Sequence, residues 1–188
     1  MQCLMLLTPG SERRLLGYTS LIRISLDQTI RKMNEVQCTC NCGRAGLVVV
    51  GPLLGRIKCH CTICQSANQA AFADSTVLMA KHVPLDRVEH VRFETRKQRL
   101  AAQRGFCRSC GCFVLARMTG LPFLSLTFVP AARFPADFSL PKPMLHVYYE
   151  SRIADVVDEV PKYCGNWPSQ LAVLRMVLKA RFGSIGRA

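Results

Sequence analysis

Cys40-Asn41-Cys42-Gly43 sets two thiols two positions apart and follows them with glycine; Cys107-Arg108-Ser109-Cys110-Gly111 sets two more three positions apart and ends the same way. A C-x-C turn and a C-x-x-C knuckle each supply two sulfurs, and two such pairs complete a closed tetrahedral shell of the structural zinc type. Glycine after each pair permits a left-handed backbone that turns amide groups toward the sulfurs. The site ties residue 40 to residue 110 and predicts that whatever lies between them folds around that staple.

Between the two halves lies Cys59-His60-Cys61-Thr62-Ile63-Cys64. Three protein ligands leave a fourth position for water or substrate, the arrangement of catalytic zinc. Cys59, Cys61 and Cys64 are therefore both metal ligands and catalytic candidates. His60, Cys38 or Cys112 would close the shell and make this site structural as well. His60 sits between two ligands, so its ring is expected to point away from the metal. Cys38 opens a second C-x-C register, Cys38-Thr39-Cys40, but Gly43 favours Cys40 and Cys42.

The chain has 188 residues and 11 cysteines. Secreted disulfide scaffolds are shorter and carry even counts, whereas thiols two and three positions apart converge readily on one ion at about 2.3 Å. Zinc is preferred over disulfides, and the compartment is then reducing, most simply the cytoplasm. Cys3 and Cys164 remain as free thiols.

The formal charge is +13. Two ligated zinc sites would lower it to about +10, because each ligand thiol is ionised. A basic chain suits an anionic small substrate or nucleic acid. Aromatic residues are not interleaved with Arg and Lys, and no finger or helix-turn-helix spacing is present, so nucleic acid is not favoured. No apolar run approaches the ~20 residues of a membrane span. No pattern in the sequence bears on oligomeric state.

Residues 1–35 carry no ligand cluster and no regular apolar period. Met1 to Leu7 is apolar but short and is interrupted by Pro9, Ser11 and Glu12, which argues against a secretory signal. Residues 11–32 are Arg-rich and acid-poor, a bias shared with organelle transit segments. Met33 stands just before the first cluster, and two readings fit: the natural product begins there, or residues 1–32 form a flexible basic extension.

From Gln37 the chain reads as short strands broken by turns. Leu47 to Val50 is ended by Gly51-Pro52; Arg56 to His60 leads into the middle cluster. Ser75 to Met79, Val88 to Glu94, Phe113 to Arg117, Phe123 to Phe128 and Leu145 to Tyr149 are further strands by β-branched and aromatic content. Gln65 to Ala71 predicts one or two helical turns. A mainly β domain of short antiparallel strands is expected over residues 36–167. At 168–188 the period switches, and Ser169 is expected to cap an amphipathic helix with Leu171, Leu174, Val177 and Leu178 on its packing face.

At these residues the chain resembles the glutathione-dependent formaldehyde-activating enzyme family, which includes centromere protein V. The matching stretches are Cys40-Asn41-Cys42-Gly43, Cys59 to Gln65 running into Ala70-Ala71-Phe72-Ala73, Arg104 to Gly111, and Pro143 to Tyr149 with Ser151-Arg152. Val160-Pro161-Lys162-Tyr163 resembles the family's closing stretch, so the likeness runs from about Cys38 to Trp167. Cys112 departs from the small or hydroxyl residue that the family has after its last Cys-Gly.

The resemblance implies a β-tent fold with two zinc ions, one structural on Cys40, Cys42, Cys107 and Cys110, and one on Cys59, Cys61 and Cys64 where a glutathione thiol is handled. It implies carbon–sulfur lyase activity on glutathione–aldehyde adducts. Arg56, Lys58, Arg104 and Arg108 are candidates for the carboxylates of an anionic tripeptide. The rival expectation is a non-catalytic binding module in which both zincs are structural and the basic surface takes nucleic acid or an acidic protein.

Overall fold

The computed structural model describes residues 35–96, 101–119 and 124–182. The chain divides into two units, Met1–Glu35 and Val36–Ala188. The expectations about Met1–Leu7, Arg-rich residues 11–32 and a start at Met33 fall outside the described residues. Every described strand and helix lies in the second unit.

The fold is mainly β. Strands β1 (Val36–Thr39), β2 (Gly46–Val49) and β5 (Val88–Glu89) form a small antiparallel sheet in the order β1-β2-β5. The larger sheet has eight strands: β3 (Gly55–Cys59), β4 (Ala73–Met79), β6 (Val91–Arg96), β7 (Ala101–Cys107), β8 (Phe113–Thr119), β9 (Leu126–Pro130), β10 (Leu145–Val147) and β11 (Lys162–Tyr163). Its order is β11-β10-β3-β4-β9-β8-β7-β6. Pairing is antiparallel except at one edge, where β10 runs parallel to both β3 and β11.

Adjacent residues on β4 show how the sheet divides its apolar content. Leu78 belongs to one buried cluster with Cys38, Cys40, Leu47, Val49, Cys107, Val114 and Val129. Val77 belongs to the other, with Leu54, Ile57, Cys59, Leu145, Val147, Met176 and Val177. Successive strand side chains point to opposite faces, so one strand feeds both clusters. Each cysteine group roots in a different one: Cys40 and Cys107 in the first, Cys59 in the second.

Several expected elements are shifted, each for a local reason. The expected strand Val88 to Glu94 is broken at His90, which takes a left-handed φ of 55°. Leu145 to Tyr149 ends at Val147, because Tyr148 has φ 54°. Helix α1 spans Thr62–Asn68 rather than Gln65 to Ala71; the Cys61 sulfur accepts from the Cys64 N–H and starts it early, and Gln69 at φ 51° stops it. Strand β9 begins at Leu126, and part of the expected Phe123 to Phe128 run lies outside the described residues.

Helix α2 (Asn166–Phe182) is the largest correction. Ser169 is buried inside it, not at its cap, and its buried residues are Ser169, Ala172, Met176 and Val177. Leu171, Leu174 and Leu178 are 46%, 36% and 41% exposed, so of the expected packing face only Val177 packs. The reason is a close approach. A Cβ on Gly55 would lie 2.6 Å from Met176 Sδ, so β3 meets the helix through glycine and the Met176 side selects the face. Ser169 Oγ then accepts from the Tyr148 N–H at 2.8 Å and donates to the Tyr163 carbonyl at 3.3 Å, fastening the helix across β10 and β11.

Candidate metal centres and the cleft beside them

The first cluster assembles as the spacing predicted. The sulfurs of Cys40, Cys42, Cys107 and Cys110 lie within 4.8 Å of one another. Cys40 Sγ is 3.3 Å from Cys42 Sγ and 3.6 Å from Cys107 Sγ, and Cys42 Sγ is 3.8 Å from Cys107 Sγ. A tetrahedron with metal–sulfur bonds of about 2.3 Å has edges of about 3.8 Å. A disulfide needs about 2.05 Å. The arrangement fits an ion and not a bridge.

The two turns that present these sulfurs are built alike. The Gly43 N–H donates to the Cys40 carbonyl and the Gly111 N–H to the Cys107 carbonyl, both at 3.0 Å. Both glycines have positive φ, +73° and +68°, where a side chain is strained even though a Cβ would meet open space. Amides turn to the sulfurs: Ala45 N to Cys40 Sγ at 3.2 Å, and Ser109 N and Cys110 N to Cys107 Sγ at 3.4 and 3.5 Å. Burial alone would raise the Cys40 thiol, but the Ala45 and Cys42 amides and the Cys42 and Cys107 sulfurs bring it down to about 6. Arg133 clasps the C-x-C turn from outside, donating to Asn41 Oδ1 at 2.6 Å and to Cys112 Sγ at 3.5 Å.

The middle cluster has three members. The sulfurs of Cys59, Cys61 and Cys64 also lie within 4.8 Å of one another, with Cys59 and Cys61 3.6 Å apart. Cys59 closes β3, Cys61 caps α1, and Cys64 sits in the first turn of that helix. Among the described residues no further His, Cys, Asp or Glu joins the group. The three expected candidates for closing it are elsewhere. Cys38 is buried on β1 in the other apolar cluster, its thiol pushed up to about 12 by burial. Cys112 lies against Arg133 beside the first cluster. His60 turns its ring into the sheet.

The three thiols share their charge unequally. Hydrogen bonds from Cys59 and Cys64 bring Cys61 down to about 3. Cys64 is pushed up to about 12: its hydrogen bond with Cys59 works against this, while the bond with Cys61 and burial carry it. Cys59 is raised as well, chiefly by its bonds with Cys61 and Cys64. A divalent ion bound among them would let all three ionise together.

Side chains around this cluster include several that spacing alone did not single out. Burial raises the Tyr148 hydroxyl, and the nearby charges of Cys59, Cys61 and Cys64 raise it further. It therefore stays protonated, and it donates to Asn166 Oδ1 at 3.2 Å. The left-handed backbone at Tyr148 was the available signal, and sequence does not show it. Gln65 on α1 reaches back to the His60 and Ser151 carbonyls at 2.7 and 2.8 Å, fixing the helix against the chain after β10.

The basic candidates separate. Arg56 is committed to Asp74 through two bonds of 2.7 and 2.6 Å, and Lys58 to Asp158 at 3.1 Å. Neither is available for a ligand carboxylate. Arg108 is exposed, and it is its backbone N–H that donates to the His90 carbonyl. Arg104 lines a cleft of about 180 Å³ with Ile63, Ser66, Ala67, Arg92, Glu94, Phe106 and Gly111.

Against known proteins, the family model described as glutathione-dependent formaldehyde-activating enzyme matches residues 35–151, well over half of the chain. A crystal structure of a Rhodobacter sphaeroides protein from a structural-genomics programme is 18% identical, with a TM-score of 0.43, and the match covers 68% of this chain and 99% of that one. No curated protein matches.

Proposed function

The chain belongs to the glutathione-dependent formaldehyde-activating enzyme family, and on that premise we propose that it is a zinc-dependent carbon–sulfur lyase acting on glutathione–aldehyde adducts. The observation that supports this reading is the ligand count of the middle cluster: three sulfurs in bonding range of one another and no fourth protein ligand among the described residues.

In this reading Cys40, Cys42, Cys107 and Cys110 hold a structural zinc, and Cys59, Cys61 and Cys64 hold the second. Bound there, zinc supplies a Lewis-acid position that favours the deprotonated form of an incoming thiol. The residues do the rest. The three cysteines fix where the cosubstrate sulfur sits, from the end of β3 and the start of α1. In the forward direction a C–S bond forms between that sulfur and the aldehyde carbon, and the proton that leaves the thiol is matched by one taken up at the carbonyl oxygen. The reverse direction breaks the same bond and returns the proton. Tyr148, kept protonated, is the donor we assign to the adduct oxygen. Thiols that must stay reduced suit a reducing compartment, and the cytoplasm is the one we propose. No helix among the described residues is long and apolar enough to cross a membrane.

The test is adduct formation followed by NMR with labelled formaldehyde and glutathione. The intact protein should accelerate equilibration with two zincs bound. Cys61→Ala should bind one zinc, stay folded and show no acceleration. A Cys61→Ala protein with undiminished activity would remove the middle cluster from the mechanism.

A further inference from the structure

The face of the β6–β7 ribbon that looks toward α1 carries two arginines with different commitments. Register sets Arg92 opposite Phe106 and Glu94 opposite Arg104. Residues two apart on a strand share a face, so all four side chains stand together. Arg92 is engaged: its Nη1 donates to Glu94 Oε1 at 2.5 Å, and its guanidinium lies 5.6 Å from the centre of the Phe106 ring. With Glu94 already taken, Arg104 is half-buried and has no carboxylate within ion-pair distance among the described residues.

The opposite wall is α1, through Ile63, Ser66 and Ala67. That helix also carries Cys64, the neighbour of Ile63 in its first turn. The cleft therefore shares α1 with the middle cluster and has one uncompensated positive charge. At about 180 Å³ it is smaller than the ~300 Å³ lower bound of a site for a whole drug-sized ligand. It suits one arm of a molecule whose remainder lies outside.

We propose that Arg104 is a specificity-determining residue that holds a carboxylate of the thiol cosubstrate, so that this site selects anionic thiols over neutral ones. This rests on the thiol-at-the-second-cluster reading above. Guanidinium is suited to the role because its planar fork meets a carboxylate with two parallel bonds. The apolar surface of Ile63, Ala67 and Phe106 shields the pair, which strengthens it relative to one in open water. Arg92 and Glu94, neutral as a pair, frame the anchor without competing for the ligand.

The experiment is calorimetry on the zinc-loaded full chain with glutathione, S-methylglutathione and 2-mercaptoethanol. It compares the intact protein with Arg104→Ala and Arg104→Lys. Arg104→Ala should weaken glutathione and S-methylglutathione by about ten- to a hundredfold, the scale of one charge-assisted bond, and leave 2-mercaptoethanol unchanged. Arg104→Lys should recover part of the loss. Equal weakening of charged and neutral thiols, or no change with glutathione, overturns the anchor and leaves the metal-site reading standing. If S-methylglutathione binds the intact protein as tightly as glutathione, the metal-site reading fails, and the Arg104→Ala effect on both ligands still decides the anchor. If glutathione does not bind the intact protein, both are overturned.

Discussion

His60 Nε2 lies 2.9 Å from His146 Nδ1, and through that contact the residue between two cluster cysteines is tied to strand β10 rather than to the metal. The proton positions are set by the next member. His146 Nε2 is 3.0 Å from Asp158 Oδ2. Lys162, then Lys58 and His146, hold that carboxyl well below the usual range, so it is an acceptor only. His146 therefore carries its proton on Nε2 and accepts at Nδ1, and His60 donates from Nε2. His60 Nδ1 is left buried without a partner.

Burial brings His60 down to about 4, with the His146 and Lys58 charges acting in the same direction. The folded state thus resists a proton that the unfolded chain takes up below about 6.5. Stability from this group is present above 6.5 and is lost as pH falls from there toward 4. His60→Gln keeps a donor near the Nε2 position and does not titrate. Measured between pH 6.5 and 4.5 with zinc content checked at each point, its stability should fall with pH by about one proton less than the intact protein's. Identical slopes would mean that His60 charges in the folded state.

Cys110→Ser should lose one zinc and fail to give soluble folded protein, a cost of several kcal/mol, because metal-binding energy at a closed site is folding energy. Cys61→Ala should lose the other zinc and remain soluble. Zinc content by mass spectrometry under native conditions, with thermal melts, checks both. A Cys110→Ser protein with an unchanged melting temperature and two zincs would show that the four sulfurs are grouped wrongly.

Met176→Ala should destabilise by about 2–5 kcal/mol, the range for emptying a buried methionine position. Met176 is 5% exposed and packs on Gly55. Leu174→Ala and Leu178→Ala should each stay within about 0.5 kcal/mol, as exposed positions do. Urea denaturation of the three variants distinguishes the observed packing face from the leucine face; the reverse ranking would put the helix the other way round.

Tyr148→Phe should keep both zincs and the glutathione affinity and lower the rate of adduct turnover by about a hundred- to a thousandfold, as expected when one donor to a reacting oxygen is lost. Single-turnover kinetics measures it. An unchanged rate would leave Tyr148 with packing alone.

The cysteine framework was legible because coordination demands one residue type at fixed short spacings, and those survive in a linear chain. The mainly β character was legible from β-branched runs such as Leu47 to Val50. Strand β7 was not: Gly105 and the polar pair Gln103 and Arg104 mask it, and its pairing partners lie on β6 and β8. Strand β11 is two residues long and exists through β10. The face of α2 was misread because three leucines at helical spacing outweigh Ala172 and Met176 on any apolar scale, while the glycine that decides the matter is at position 55. The His60–His146 contact joins residues 86 apart and has no local signature.

On the proposed mechanism, Cys59, Cys61 and Cys64 leave one metal position open to a thiol. Glutathione binding measured by calorimetry in buffers of different ionisation enthalpy tests this most directly. If the sulfur enters as thiolate, binding releases about one proton, and affinity rises about tenfold per pH unit until the free thiol ionises near ~8.5. S-methylglutathione should bind much more weakly and release none. Equal affinity for the two, with no proton released, would contradict the open position and make the middle cluster a structural site like its neighbour.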